Sequence, residues 1–218
     1  MHGERGVALL EYFERRAFGR YVDHSRLFLY KGTRNLLGWT GDQGAYLRST
    51  MQAMVMLGVP PEDNWPYDVA RFDDEPPSFC YALGQAYKAL RYYRLDPPGT
   101  GLKALVPAIT RSLAAGLPCM FGFTVYTSFP RVGDGQVDVP MPQPRERRAG
   151  GHAVVAVGYD DARAIGQARG ALLIRNSWGT AWGDKGYGWM PYAYVERGLA
   201  VDFWSLSSAA FVDTELFE

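Results

Sequence analysis

The sequence predicts an α+β fold: a mainly helical lobe over residues 1–112, then an antiparallel β-barrel lobe over residues 113–218, one unit with a cleft between the lobes as the default binding site. Three observations predict it. In the first half, apolar residues recur three and four apart, the period of an amphipathic helix. In the second half they form runs of strand length, separated by glycines and short polar turns, as an antiparallel barrel requires. The chain's 218 residues, 47% of them hydrophobic, suffice for one large core or two modest ones.

Taken in order, Val7, Leu10, Phe13 and Glu14 share one helical spacing, and the run ends near Gly19. Asp23-His24-Ser25 offers a cap for a second helix through Leu27, Leu29 and Tyr30. A third helix covers residues 45–57, between Gly44 and the stop signals Gly58 and Pro60. Pro60, Pro61, Pro66, Pro76 and Pro77 then make an irregular connection. Residues 78–90 read as a helix running into a strand at 91–95, and 101–115 as a further amphipathic helix. Strands are expected at 119–126, 152–159, 171–176, 186–191 and 201–206. Residues 129–149, rich in proline, glycine and charge, read as a long surface loop.

Charge excludes several functions. The chain has 23 basic and 23 acidic residues, so it carries no footprint for nucleic acid or for an anionic membrane surface. Its one basic cluster, Arg145-Glu-Arg-Arg148, reads as a solvated loop. No apolar run reaches the ~18–20 residues of a membrane span, and no signal-peptide core precedes Glu4, Arg5, Glu11 and Glu14. Two cysteines, Cys80 and Cys119, are too few for a disulfide framework and read as buried free thiols, which fits a cytoplasmic setting. Asp73-Asp74-Glu75 reads as an exposed acidic loop and Asp160-Asp161 as a turn. The spacings needed for zinc, a phosphate-binding loop or a dinucleotide are absent, so no metal or cofactor is expected. The sequence assigns no oligomeric state.

One pair of segments carries chemistry. Gly150-Gly151-His152 opens an apolar strand, and the next strand ends in Asn176-Ser177-Trp178-Gly179. A neutral amide oxygen that accepts an imidazole N–H fixes the ring without adding an anion, so a thiolate–imidazolium pair can form in front of it. An indole over that bond excludes water and strengthens it. A lone histidine in an apolar strand is ordinarily a satisfied core residue; the flanking Gly-Gly and Asn-Ser-Trp-Gly argue for a base and its orienter. His2 and His24 have no such context and read as surface or capping residues.

On these residues the chain resembles the papain-like cysteine peptidases, of C1 type. Residues 151–159, Gly-His-Ala-Val-Val-Ala-Val-Gly-Tyr, are similar to that family's histidine strand, and residues 176–187, Asn-Ser-Trp-Gly-Thr-Ala-Trp-Gly-Asp-Lys-Gly-Tyr, to its asparagine segment. Weaker echoes are Glu11 with Phe13, Gly41-Asp-Gln-Gly44, and Trp65-Pro-Tyr67. The resemblance implies peptide-bond hydrolysis by thiol acyl transfer, with His152 as general base, Asn176 as its orienter, and Trp178, Trp182 and Gly151 in support. It also implies a peptide or protein substrate, with Gly44, Ala45 and Gly122 lining the substrate cleft; small residues there leave room for a bulky apolar side chain.

The nucleophile does not follow the pattern. In the family it opens the first long helix, about ten residues before the glutamate matched by Glu11, and counting back lands on Met1. The ~130–150-residue spacing from cysteine to histidine agrees, since His152 lies 151 residues after Met1. A thioether has no proton to lose. The expectation is a truncated or inactive peptidase homologue lacking the upstream segment and its oxyanion-hole glutamine. The alternative is a natural pseudoprotease whose cleft binds peptides or a partner protein. Cys80, in a helix, and Cys119, in an apolar strand, are the other thiols; neither opens a helix beside His152, and Cys119 is the nearer candidate of the two.

Overall fold

The computed structural model describes residues 3–211, so Met1 and His2 lie outside it. The chain divides into two compact units: one runs up to Tyr93 and resumes at Leu206, and the other spans Arg94–Ser205.

The first unit is built on α1 (Gly3–Phe18), α2 (Arg26–Leu37), α3 (Leu47–Met56) and the short α4 (Ser78–Gly84). Its core takes Val7, Leu9 and Leu10 from α1 and Met51 and Met54 from α3, and α2 runs through it, buried all round from Leu27 to Arg34. Ser25 caps α2 as expected, its Oγ accepting from Phe28 N at 3.1 Å and donating to Trp65 O at 2.6 Å.

Two readings of this unit need correction. His24 is neither a surface nor a capping residue: its side chain is wholly buried, with Nε2 2.7 Å from Glu14 Oε1 and Nδ1 2.8 Å from Val59 O. The pair fastens α1 to the segment that follows α3. The helix expected over 78–90 stops at Gly84, because that glycine packs on backbone: a Cβ there would lie 2.7 Å from Leu57 O. The chain then turns into β1 (Tyr87–Arg94), where Tyr87 and Ala89 alternate inward.

Asp73 is also more than part of a solvated acidic loop. It accepts from Arg34 Nη1 at 2.7 Å and from Gly41 N at 2.9 Å, and Arg34 is fully buried. The guanidinium thereby ties the 41–44 loop to the acidic segment; it also donates to the carbonyls of Gly41 and Phe72 and lies over the Tyr30 ring at 4.4 Å.

The second unit holds α5 (Leu102–Ala114), β2 (Cys119–Tyr126), β3 (Arg148–Ile165), β4 (Ala168–Arg175), β5 (Tyr187–Pro191), the four-residue α6 (Ala193–Glu196) and the start of β6 (Ala200–Phe211). The strand order is β1-β6-β2-β3-β4-β5, with antiparallel pairing from β6 through to β5. The α+β class is as predicted, but the sheet stays open where a closed barrel was expected. Leu105 and Ile109 of α5 share one core cluster with Phe121, Val154, Leu172, Ile174 and Phe203 of its strands.

β3 is the largest departure. It runs 18 residues and absorbs Asp160-Asp161, which do not form the turn; the chain reverses at Gly166-Gln167. A register shift between Asp160 and Ala164 accommodates them, with Asp160 accepting from Ala162 N at 2.8 Å and Asp161 from Tyr192 Oη at 2.8 Å. The 129–149 segment is also less loose than its composition implied. Phe129 and Val139 are buried, Val139 N–H donates to Trp189 O at 2.8 Å, and the Glu146 carboxylate gathers Ser128 N, Thr127 Oγ1 and Gln143 N.

Candidate active site

The antiparallel pairing of β3 with β4 brings the two key side chains together. Val155 pairs with Arg175, so the end of β4 meets the opening of β3, where His152 faces Phe123 of β2. Asn176 follows directly, its own N–H donating to Gly186 O at 2.9 Å. The result is a 2.9 Å hydrogen bond between His152 Nε2 and Asn176 Oδ1.

The proton on that bond can be assigned from chemistry. Ser177 N, which can only donate, lies 2.8 Å from the same Asn176 atom, so that atom is the amide oxygen. An oxygen without a hydrogen only accepts, so His152 Nε2 carries the N–H. In the neutral ring Nδ1 is then the basic nitrogen. Asn176 is 7% exposed, and its Nδ2 is buried with no hydrogen-bond partner among the described residues. Leaving an amide N–H unpaired costs about 1–3 kcal/mol, which the local fold sustains while Oδ1 faces both donors.

Aromatic rings wall this bond. The Trp178 ring lies 4.8 Å from the imidazole centroid, tilted 43°, and Phe123 meets it edge-on at 5.7 Å. Phe129 stacks on Trp182 at 5.8 Å and 15° and stands edge-on to Trp178 at 5.6 Å. Trp182 is fully buried and donates Nε1–H to Pro130 O at 2.9 Å, whereas Trp178 is 39% exposed. Trp178 therefore shields the imidazole from a partly open position, and Trp182 anchors the wall behind it. Low local dielectric strengthens the Nε2–Oδ1 bond. Phe129, Phe123 and the Pro130 carbonyl were not legible as site residues; the only signal was an aromatic leading a segment otherwise made of loop residues.

The other expected site residues are placed as follows. Gly151 is exposed beside His152, with nothing within 4 Å of where a Cβ would stand. Gly122 is half-buried in β2, paired with Ala153 and with Val201 of β6, on the face opposite Phe121 and Phe123. Gly44 and Ala45 are half-buried in the first unit, just before α3, where Gly44 N–H donates to Tyr30 Oη at 3.1 Å. The proposed nucleophile position, Met1, lies outside the described residues.

Cys119 does not stand beside the histidine. Cys119 is fully buried and pairs with Ala156, four residues along β2 from the partner of His152, about 13 Å at ~3.3 Å per residue. Burial pushes its thiol far up, out of reach of ionisation at neutral pH. Cys80 is buried in the first unit, its Sγ 3.5 Å from Asn64 O, and burial raises its thiol as well. Among the described residues no three histidine, cysteine or acidic side chains gather to hold a metal ion. No described helix is long and apolar enough to cross a membrane.

Known proteins match this architecture. Residues 31–201 fit the model of the papain family of cysteine proteases. An uncharacterized peptidase C1-like protein of Acanthamoeba polyphaga mimivirus is 36% identical over 184 residues, 83% of this chain and 57% of its own length. A cathepsin B-like protein of Giardia intestinalis is 40% identical over 108 residues, 48% of this chain and 29% of its own. The chain thus spans little more than half of the first of these relatives and under a third of the second. Among solved structures, xylellain, a cysteine protease from Xylella fastidiosa, superposes with a TM-score of 0.80 at 34% identity, over 97% of this chain and 79% of that one. The bromelain protease of Ananas comosus has a TM-score of 0.66 at 17% identity, over 97% of this chain and 88% of that one, a likeness of fold.

Proposed function

The chain belongs to the papain family of cysteine proteases, and from that premise we propose that His152 and Asn176 are the base and orienter of a site for peptide-bond hydrolysis by thiol acyl transfer. The observation that carries this reading is the double use of Asn176 Oδ1 by His152 Nε2 and Ser177 N, which leaves Nδ1 as the proton-accepting nitrogen. With a thiol in front of it, Nδ1 takes the thiol proton and an imidazolium–thiolate pair results. The thiolate attacks the peptide carbonyl carbon, and Nδ1–H then protonates the leaving amine. Water, deprotonated by the same nitrogen, releases the acid and regenerates the thiol. The transient imidazolium is steadied by Asn176 Oδ1 and by the Trp178 face at 4.8 Å, a cation–π contact worth about 0.5–2 kcal/mol.

Cys119 cannot supply the thiol, being fully buried four residues along β2 from the partner of His152 with its thiol pushed up by burial. Removing the nucleophile from such a catalytic unit costs on the order of a millionfold in rate. A chain assayed without a thiol at this site is therefore expected to be inert toward peptides, and the second reading is a site that binds peptides or a partner protein without cleaving them. One experiment separates the two. A Met1→Cys chain carrying an added upstream segment is assayed on a peptide library, with His152→Ala as control. Hydrolysis that vanishes in His152→Ala supports the peptidase reading. A folded Met1→Cys chain that leaves every peptide intact contradicts it.

A further inference from the structure

A cavity of about 800 Å³ lies wholly within the second unit, separated from His152 by nearly the whole length of β3. It is bounded by the 140–144 loop, the β3–β4 turn at 165–169 and the end of α6 at 193–197. The volume falls in the ~300–1,000 Å³ range of small-ligand sites.

Its walls are braced from behind. Pro140 O accepts from Tyr194 Oη at 3.2 Å, and Gln143 N–H donates to Glu146 Oε2 at 2.9 Å. The Arg163–Asp138 ion pair, at 2.7 Å, ties the far end of β3 to the proline loop. These bonds hold the three walls in place before anything binds, which lowers the ordering cost of binding.

The lining has a distinct chemistry. Arg169 and Arg197 both border the cavity, and no ion pair reaches either of them among the described residues; Glu196 is the one acidic side chain there. Two guanidinium groups against one carboxylate leave an excess of positive charge. Pro140, Pro142 and Pro144 have no N–H and present rings and carbonyls, and Ile165 adds apolar surface. The side-chain amides of Gln143 and Gln167 can donate and accept, as a peptide backbone needs.

We propose that this cavity docks an acidic peptide segment of a protein substrate, its carboxylate between Arg169 and Arg197 and its apolar neighbours on the proline wall. The proposal rests on the reading of this chain as a peptide-handling protein and adds a docking preference to it. Because both arginines are exposed, each carboxylate–guanidinium contact is worth about two- to fivefold in affinity, and weakens in salt.

The test uses the full chain, ¹⁵N-labelled, and reads amide shifts on addition of acetyl-Leu-Asp-Leu-Glu-Ala-amide. The neutral twin with Asn and Gln in place of the acids, and inorganic phosphate, are run beside it. The expected result is saturable shifts at Met141, Gln143, 165–169 and 193–197, with affinity down about tenfold for the twin and in Arg169→Gln/Arg197→Gln. Glu196→Gln should bind as tightly or more tightly. Equal affinity for acidic and neutral peptides, phosphate competing at the peptide's own affinity, or shifts confined to other surfaces would each overturn the proposal. Both arginines are exposed, so an unchanged melting temperature in the variants separates lost docking from lost fold. Binding read this way involves no thiol chemistry: its failure leaves the His152–Asn176 reading standing, and an inert Met1→Cys chain leaves the titration interpretable.

Discussion

Gly188 leaves the space that Trp182 fills: a Cβ at 188 would lie 2.6 Å from Trp182 Cη2 and 2.9 Å from the Val137 carbonyl oxygen. The indole cannot retreat, because it is fully buried, hydrogen-bonded to Pro130 O and stacked on Phe129. Gly188→Ala is therefore expected to cost about 1–3 kcal/mol by overpacking. Gly151→Ala, where a Cβ meets nothing, should change stability by no more than about 0.5 kcal/mol. Urea denaturation of both variants checks the contrast.

The buried His24–Glu14 pair sets a second expectation. Both side chains are inaccessible to solvent, and the imidazole bridges the carboxylate and the Val59 carbonyl. Removing one partner strands the other in the core, which costs about 3–5 kcal/mol. His24→Ala and Glu14→Ala should each lose that much, and the double variant should lose clearly less than their sum. Strict additivity in a denaturant-based double-mutant cycle would show that the two do not act as a pair.

These two cases mark what was and was not readable beforehand. His152, Asn176 and both tryptophans stood out because their contacts join neighbouring strands, so short motifs carry them. The helical starts at Ser25 and Leu102 were likewise local. His24 and Glu14 are brought together by a loop reversal, and nothing in either flank records it. Asp160-Asp161 looked like a turn because acidic pairs favour turns, yet the β3 register shift and the Tyr192 hydroxyl take them into a strand. Phe129 was hidden by the loop-like composition around it. Gly84 ended a helix through contact with Leu57, which periodicity does not see.

Cys119 offers a direct check on the nucleophile argument. Burial both excludes reagent and raises the thiol, so a vinyl-sulfone or epoxide label should leave it unmodified in the native chain and react after unfolding. Stoichiometric labelling of native Cys119, read by mass spectrometry, would contradict the placement.

Glu146 should give an acid-sensitive contribution to stability. Hydrogen bonds led by Gln143 N–H, with Ser128 N–H and Thr127 Oγ1, hold its carboxyl below the ordinary glutamate value. A depressed folded-state value stabilises the fold above the unfolded value and stops doing so as pH falls through the folded one. Stability should therefore decline from about pH 5 downward, and the decline should be shallower in Glu146→Gln, whose deficit is largest near neutrality. Parallel pH profiles for the two chains would rule out the clasp.

The base role of His152 depends on which imidazole nitrogen holds the proton. ¹⁵N spectra of histidine-labelled chain, taken where the ring is neutral, read this directly. The predicted result is a single Nε2–H tautomer with an unprotonated Nδ1, giving way to a mixture of tautomers in Asn176→Ala. A native ring protonated at Nδ1, or one whose tautomer ignores Asn176→Ala, would contradict it.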